Sequence, residues 1–310
     1  MMMSSPRDLV EKRRRALLLV NQHAGKGTHN VDAVVDLLRA GGLEVESHLF
    51  PKKHPIPDMI RTRAADADCV IIGGGDGTLN SAVPALLECG LPLGILPLGT
   101  ANDLARTLGI DMDPLSAATI ISRGYTRELD LGEANGHLFW NVANIGLSAT
   151  LAQEVPDALK KRLGVLGYAI GALQLLVRMR PFAIEFEWEG RTERGRTFQV
   201  SIGNGRYQGG GMMVASTAEP DDGRLHVYSL ETKTRLRLLT LLPMLRKGTQ
   251  AGQEGVRAFT CTELVVRTPA PMPVSTDGAL TTETPVRLCV RRRALKTYVP
   301  AEREAAEMPA

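Results

Sequence analysis

The chain is poor in cysteine, in aromatic side chains and in any excess of one charge, and it has no long hydrophobic run. Its four cysteines, Cys69, Cys89, Cys261 and Cys289, lie far apart. They have the paired spacing of neither a zinc site nor a redox motif, so a reducing, cytoplasmic setting is the simpler expectation. Aromatic residues make up only 4% of the 310 positions, which argues against a stacking platform for bases or sugars. Thirty-seven basic and 34 acidic residues leave a net charge of +3, too weak a bias to imply nucleic acid as a partner. No segment reaches the roughly 20 apolar residues of a membrane span. The basic string Lys12-Arg13-Arg14-Arg15 precedes only Ala16-Leu17-Leu18-Leu19-Val20, too short for a signal-peptide core. That run reads as a buried first strand, and the chain as soluble.

What is present is glycine, 31 residues of 310, and a length that suits two ordinary domains better than one. From residue 16 to about residue 130 the pattern alternates strand and helix. Residues 17–20, 69–72 and 93–96 are short apolar strands, and residues 43–49 alternate as a further strand. Val31, Val34, Val35 and Leu38 share one helical face, as do Leu79, Ala82, Val83 and Leu86. Asp113-Pro114 opens one more helix in the N-cap-plus-proline pattern. Such alternation predicts a parallel sheet covered on both faces. After Asp130 the pattern changes. Asn135-Gly136 is a hairpin signal, and residues 182–188, 198–202, 225–230, 264–267 and 286–290 read as strands of an antiparallel sandwich or barrel. Helical patterns interrupt this half near residues 158–179 and 235–247.

Two glycine-rich loops each follow a short apolar strand and open a helix: Gly73-Gly74-Gly75-Asp76-Gly77-Thr78-Leu79-Asn80 and Leu98-Gly99-Thr100-Ala101-Asn102-Asp103. An isolated Gly-Gly is as well explained by a tight turn. Small residues joined to a carboxylate, a hydroxyl and an amide beyond a parallel strand point instead to phosphate held on backbone N–H groups. Neither standard nucleotide motif fits. A Walker loop would need glycine where Val20 stands and serine or threonine where Gly27 stands, and the dinucleotide fingerprint fails at Thr78.

The two loops together resemble the catalytic domain of the diacylglycerol and sphingosine kinases, in its soluble bacterial lipid kinase branch. The resemblance extends over nearly the whole chain, through residues 21–27, 129–132 and 202–206, Gly209-Gly210-Gly211, residues 221–225 and residues 294–300. It implies a three-layer α/β nucleotide-binding domain of the NAD kinase/diacylglycerol kinase type over residues 15–130, completed by a returning strand at 291–300. It also implies an antiparallel β-sandwich over 131–290, with 1–14 and 301–310 as flexible termini. The implied activity is ATP-dependent phosphorylation of a lipid hydroxyl, with Mg²⁺. On matching positions Asn21, Gly25, Gly74, Gly75, Asp76, Gly77, Thr78, Leu79, Asn80 and Thr100 would hold ATP. Asp76, Asp103, Asp130 and Asp277 would surround a catalytic Mg²⁺. Asp222, with the carbonyls of Glu219 and Arg224, would form a structural Mg²⁺ site.

The chain departs from that pattern in two places. Where the family carries Asp-Gly-Glu, with the Glu as proton acceptor, this sequence reads Asp277-Gly278-Ala279. Asp76 or Asp277 is then the expected base, Glu283 an alternative, and a nucleotide- or lipid-binding regulator without turnover the competing reading. A distant relation, NAD kinase, shares Gly-Gly-Asp-Gly-Thr but not the second loop. Phe50 stands where close relatives often carry a threonine of the ATP site. Lys160-Lys161-Arg162, followed by an uncharged run ending at Arg178 and Arg180, is either a helix buried on the sandwich or one resting on an anionic membrane face. Expected partners are therefore a lipid substrate met peripherally at the inner membrane face and no nucleic acid; a homodimer stays open.

Overall fold

The computed structural model describes residues 14–24, 31–51, 55–154, 180–208, 210–213, 218–232 and 252–301. The first domain builds β1 (Arg14–Asn21), α1 (Val31–Ala40), β2 (Leu43–Phe50), α2 (Ile56–Arg63), β3 (Cys69–Gly74), α3 (Asp76–Cys89), β4 (Leu93–Pro97), α4 (Asp103–Thr107) and α5 (Pro114–Arg123). Strands β2, β1, β3 and β4 pair side by side and parallel in that order. All of β3 and β4 and residues 16–20 of β1 are buried, as strands covered on both faces must be. Edge strand β2 instead buries Leu43, Val45 and Phe50 and leaves the positions between them exposed or half-buried. The crossover from β1 to β2 runs one way along the sheet, and those through β3 to β4 run back. Right-handed crossovers therefore place α1 on one face and α2 and α3 on the other. α5 packs beside α1, and α2 against α3. Asp113 caps α5 as expected, its carboxylate accepting the Ser116 N–H at 2.9 Å.

The second domain contains β6 (His137–Phe139), β7 (Val142–Gly146), α6 (Leu147–Glu154), β8 (Phe182–Trp188), β9 (Arg191–Thr197), β10 (Gln199–Gly203), β11 (Tyr207–Gln208), β12 (Met212–Met213), β13 (Leu225–Leu230), β14 (Val256–Cys261), β15 (Glu263–Arg267), β16 (Pro273–Thr276) and β17 (Ala279–Glu283). It is a sandwich. One layer is the antiparallel sheet β14-β13-β10-β7-β16-β17. The other is formed by β8, β9 and β15 with parts of β5 (Thr126–Ala134) and β18 (Val286–Tyr298). Alternating residues from the two layers, among them Phe186, Trp188, Ile202, Val227, Leu264 and Leu288, meet in its core.

β5 and β18 run antiparallel through both domains. The start of β18 pairs with β15 in the sandwich, and its end pairs in parallel with β4 at Thr297 and Leu93. One sheet of ten strands thus joins the domains. Midway, the pairing of β5 with β18 shifts between Arg291 and Leu295, where Arg293 takes φ +50°. The helical patterns expected near 158–179 and 235–247 lie outside the described residues, as do nearly all of both termini. No helix among the described residues is long and apolar enough to cross a membrane.

Candidate active site

In an open parallel sheet ligands bind beyond the carboxyl ends of the strands, where the strand order reverses. Here that point lies between β1 and β3, and both strands deliver motif residues to it. β1 ends at Asn21, whose side-chain Nδ2–H donates to Thr78 Oγ1 at 3.2 Å. β3 ends at Gly74, and Gly75 caps α3. The N–H groups of Thr78 and Leu79 both fold back to the Gly75 carbonyl, at 2.9 and 3.1 Å. Asp76 and Gly77 are left as first-turn N–H groups without an intrahelical acceptor. A side chain added at Gly77 would meet nothing within 4 Å, so the helix opens onto free space there.

The second loop interlocks with the first. A Cβ on Gly99 would stand 2.4 Å from the Gly75 Cα and 2.7 Å from Asn102 Oδ1. Two backbones can approach that closely only as glycines. Buried Asn102, in the left-handed region at φ +51°, folds this loop. Its Oδ1 accepts the Gly99 N–H at 2.9 Å, and its Nδ2 donates to the carbonyls of Gly99 at 3.0 Å and Pro97 at 3.3 Å. Asn102 stands in the quoted motif without an assigned task, and its left-handed backbone is what the sequence conceals.

Three aspartates converge beyond these loops. Asp76, at the start of α3, accepts the Leu104 N–H on Oδ1 at 3.1 Å, and nothing among the described residues donates to its Oδ2. Asp103 is buried and reaches across to the second domain, where the Gly210 and Gly211 N–H groups donate to its carboxylate at 2.9 to 3.1 Å. Both glycines hold φ near +90° to +100°, which presents their N–H groups together. Burial raises the Asp103 carboxyl above the ordinary range, the two glycine N–H groups oppose that, and the charge of Asp76 adds to it. Asp277, at φ +46° in the turn between β16 and β17, accepts three backbone N–H groups: Trp140 at 2.8 Å, and Asn141 and Val142 at 3.0 Å each. Burial pushes Asp277 up to about 6 against the pull of those donors, with Asp76 again contributing. The charge of Asp76 acts in the same direction on both other carboxyls.

Other expected site residues stand apart. Asp130 is a correction: both of its carboxylate oxygens serve the domain junction. Oδ2 accepts the Gly223 N–H and Oδ1 the Arg293 N–H, each at 2.7 Å. It clamps the shift in β18. Leu79 is another, since its side chain is 2% exposed in the first core, and only its backbone borders the loop. Phe50 is likewise a core residue. Thr100 is exposed on the second loop and Asn80 half-buried on α3. Gly25 lies outside the described residues. Glu283 pairs with Pro273 at the opposite end of β17 from Ala279, roughly 13 Å along the strand at about 3.3 Å per residue, so it does not replace the missing base.

The expected structural Mg²⁺ site is also corrected. Asp222 Oδ1 accepts the Arg224 N–H at 2.8 Å, and Oδ2 meets the Glu219 N–H at 3.3 Å and His226 Nε2 at 2.7 Å. The Glu219 carbonyl already accepts the Asp222 N–H at 3.2 Å. A hard cation takes about six oxygen ligands. Here the protein offers one carboxylate, engaged by N–H donors on both oxygens, with the carbonyl of Glu219, already accepting an N–H, and that of Arg224; this is at most half the oxygens such a cation takes, and the donor set does not fit one. Among the described residues no three His, Cys, Asp or Glu side chains are grouped to hold a metal.

An α/β domain whose glycine-rich loops meet at the reversal of its sheet, closed by a sandwich that shares its strands, is the architecture that the resemblance to the lipid kinases implies. Comparisons with known proteins agree. The diacylglycerol kinase catalytic domain matches residues 15–134, and the YegS C-terminal NAD kinase beta sandwich-like domain matches residues 141–299. A protein of Pseudomonas aeruginosa named "Probable lipid kinase YegS-like" is 33% identical over 293 residues, 92% of this chain and 94% of that one. The "Diacylglycerol kinase" of Bacillus subtilis is 27% identical over 271 residues, 86% and 89% of the two chains. A solved diacylglycerol kinase of Bacillus anthracis superposes with a TM-score of 0.74 at 21% identity, covering 93% of this chain and 98% of that one, which shows the fold. The chain belongs to the diacylglycerol kinase catalytic-domain family, among its YegS-like lipid kinases.

Proposed function

We propose that this kinase transfers the γ-phosphoryl group of ATP, supplied as its Mg²⁺ complex, to the hydroxyl of a diacylglycerol-like lipid. The observation that carries the reading is Asp76: one oxygen fixed by the Leu104 N–H, the other unengaged among the described residues, at the open first turn of α3, with its charge felt by Asp103 and Asp277. Phosphoryl transfer asks for N–H groups and cations around the phosphates and for a carboxylate to accept the proton of the attacking hydroxyl. The Asp76 and Gly77 N–H groups face the phosphates. Asp76 Oδ2 accepts the hydroxyl proton. Asp277 is the poorer base, because both its oxygens already hold the 140–142 backbone. Its task is to set the wall of the cleft opposite α3, and Ala279 leaves the proton to Asp76. Asp76 and Asp103 would help hold a divalent cation brought with the nucleotide, which would offset the charge of its phosphates.

The experiment is an ATP-consumption screen of the purified chain against several lipids and against NAD. Turnover that depends on added diacylglycerol or a related lipid, with none on NAD, supports the reading. Turnover with NAD, or nucleotide binding without turnover on any acceptor, overturns it in favour of an NAD kinase-like enzyme or a regulator respectively.

A further inference from the structure

The 219–224 turn lies against the domain junction and enters β13. Its backbone is tied to Asp130 twice, the Gly223 N–H donating to Asp130 Oδ2 at 2.7 Å and the Asp130 N–H donating to the Pro220 carbonyl at 2.6 Å. Whatever locks this turn also fixes the shared strands β5 and β18, since Asp130 in turn accepts the Arg293 N–H where their pairing shifts.

The side chains of the turn already have partners of their own. Glu219 pairs with Arg206 and with Arg127, the latter at 3.2 Å, and both oxygens of Asp221 accept from one edge of the Arg127 guanidinium, through Nε and Nη2. Asp222 meets His226 Nε2 at 2.7 Å, four residues on. That imidazole is 6% exposed. It sits in β13, directly across from Gly203 of β10, so the sheet fixes its position. A side chain held on a strand and hydrogen-bonded to Asp222 performs the task a cation would perform there: it draws the Asp222 carboxylate onto the sheet and closes the turn.

We infer that His226 locks the 219–224 turn in place of a divalent cation, so that the fold of this chain is metal-independent and its divalent requirement belongs to the nucleotide alone. The inference concerns the fold and stands whether or not the lipid reading holds.

The test uses the full chain without nucleotide and Mn²⁺ as a paramagnetic probe, with bound Mn²⁺ counted by EPR and thermal unfolding followed with EDTA or with added Mg²⁺. The expected result is no Mn²⁺ that depends on Asp222, and the same Tm in EDTA and in Mg²⁺. His226→Leu is expected to lower Tm by roughly 2–8 °C, the range for losing one buried hydrogen bond to a carboxylate in a chain of this size. His226→Gln, which keeps an N–H donor, restores part of that loss, and it serves as the readout if the leucine variant does not fold. One equivalent of Mn²⁺ on the wild-type chain that disappears in Asp222→Asn overturns the inference, as does a wild-type Tm that rises with Mg²⁺. A His226→Leu protein as stable as wild type overturns it equally.

Discussion

Asp76, Asp103 and Asp277 carry the same functional group and are made different by what donates to them. Asp277 takes three backbone N–H groups and sits where burial outweighs them, so its carboxyl is pushed up to about 6. A carboxyl raised on folding contributes stability that is fully present below its unfolded value, near 4, and is lost as the pH rises through about 6. Replacing it by the neutral, isosteric Asn removes that slope. The difference in Tm between wild type and Asp277→Asn is therefore expected to shrink from pH 4.5 to pH 7, measured by thermal unfolding across that range; a constant difference would contradict the assignment. The sequence shows these aspartates as members of motifs. It does not show that Asp130 belongs to the junction, because the partners that claim it, Gly223 and Arg293, lie 93 and 163 positions away along the chain.

Between elements, the site depends on two loops touching backbone to backbone. Gly99 faces the Gly75 Cα, and a methyl group there would have to displace the Gly75 backbone and the hydrogen-bonded Asn102 side chain. Gly99→Ala is expected to cost about 1–3 kcal/mol, in the range of other overpacked sites, and to lower Tm. Gly77→Ala fills open space in a helical turn and is expected to leave Tm unchanged or slightly higher, while raising the KM for ATP by crowding the phosphate approach. Thermal unfolding and steady-state kinetics of the two variants check this pair, and equal Tm losses would refute it. The strand–helix alternation of the first domain was legible, because residues 16–20 of β1 and all of β3 and β4 are free of charged and polar side chains and α1 and α3 carry clean one-face spacing. β9 was not: Arg191–Thr197 reads RTERGRT, and it is a strand because the Glu189-Gly190 turn, with both residues at positive φ, folds it onto the alternating β8. The short helix α2, opening on Ile56-Pro57 with only Ile56 and Ile60 buried, left too brief a periodicity to see.

Across the two domains, covalent continuity through β5 and β18 is supplemented by Asp103, which holds the Gly210 and Gly211 N–H groups over the cleft. Asp103→Ala is expected to speed hydrogen exchange at those two amides while β1 and β3 keep their protection. Unchanged exchange at Gly210 and Gly211 would show that the hairpin β11–β12 is held by something else. Two domains and a sandwich were legible from length and from the change of pattern after Asp130. The sharing of one sheet was not, because β18 reads as two segments broken by Arg291-Arg292-Arg293, and only its pairing with β5 on both sides of the shift makes it one strand.

The central claim is that this chain phosphorylates a lipid hydroxyl with Asp76 as base. Its most direct measurement is the transfer of label from γ-³²P-ATP to diacylglycerol by the wild-type chain and by Asp76→Asn. The account predicts labelled lipid from the wild type and a rate about 10²–10⁴ lower, the usual cost of losing a positioned base, from a variant that folds normally. Undiminished transfer by Asp76→Asn, or no labelled lipid from the wild type with any acceptor offered, would contradict it.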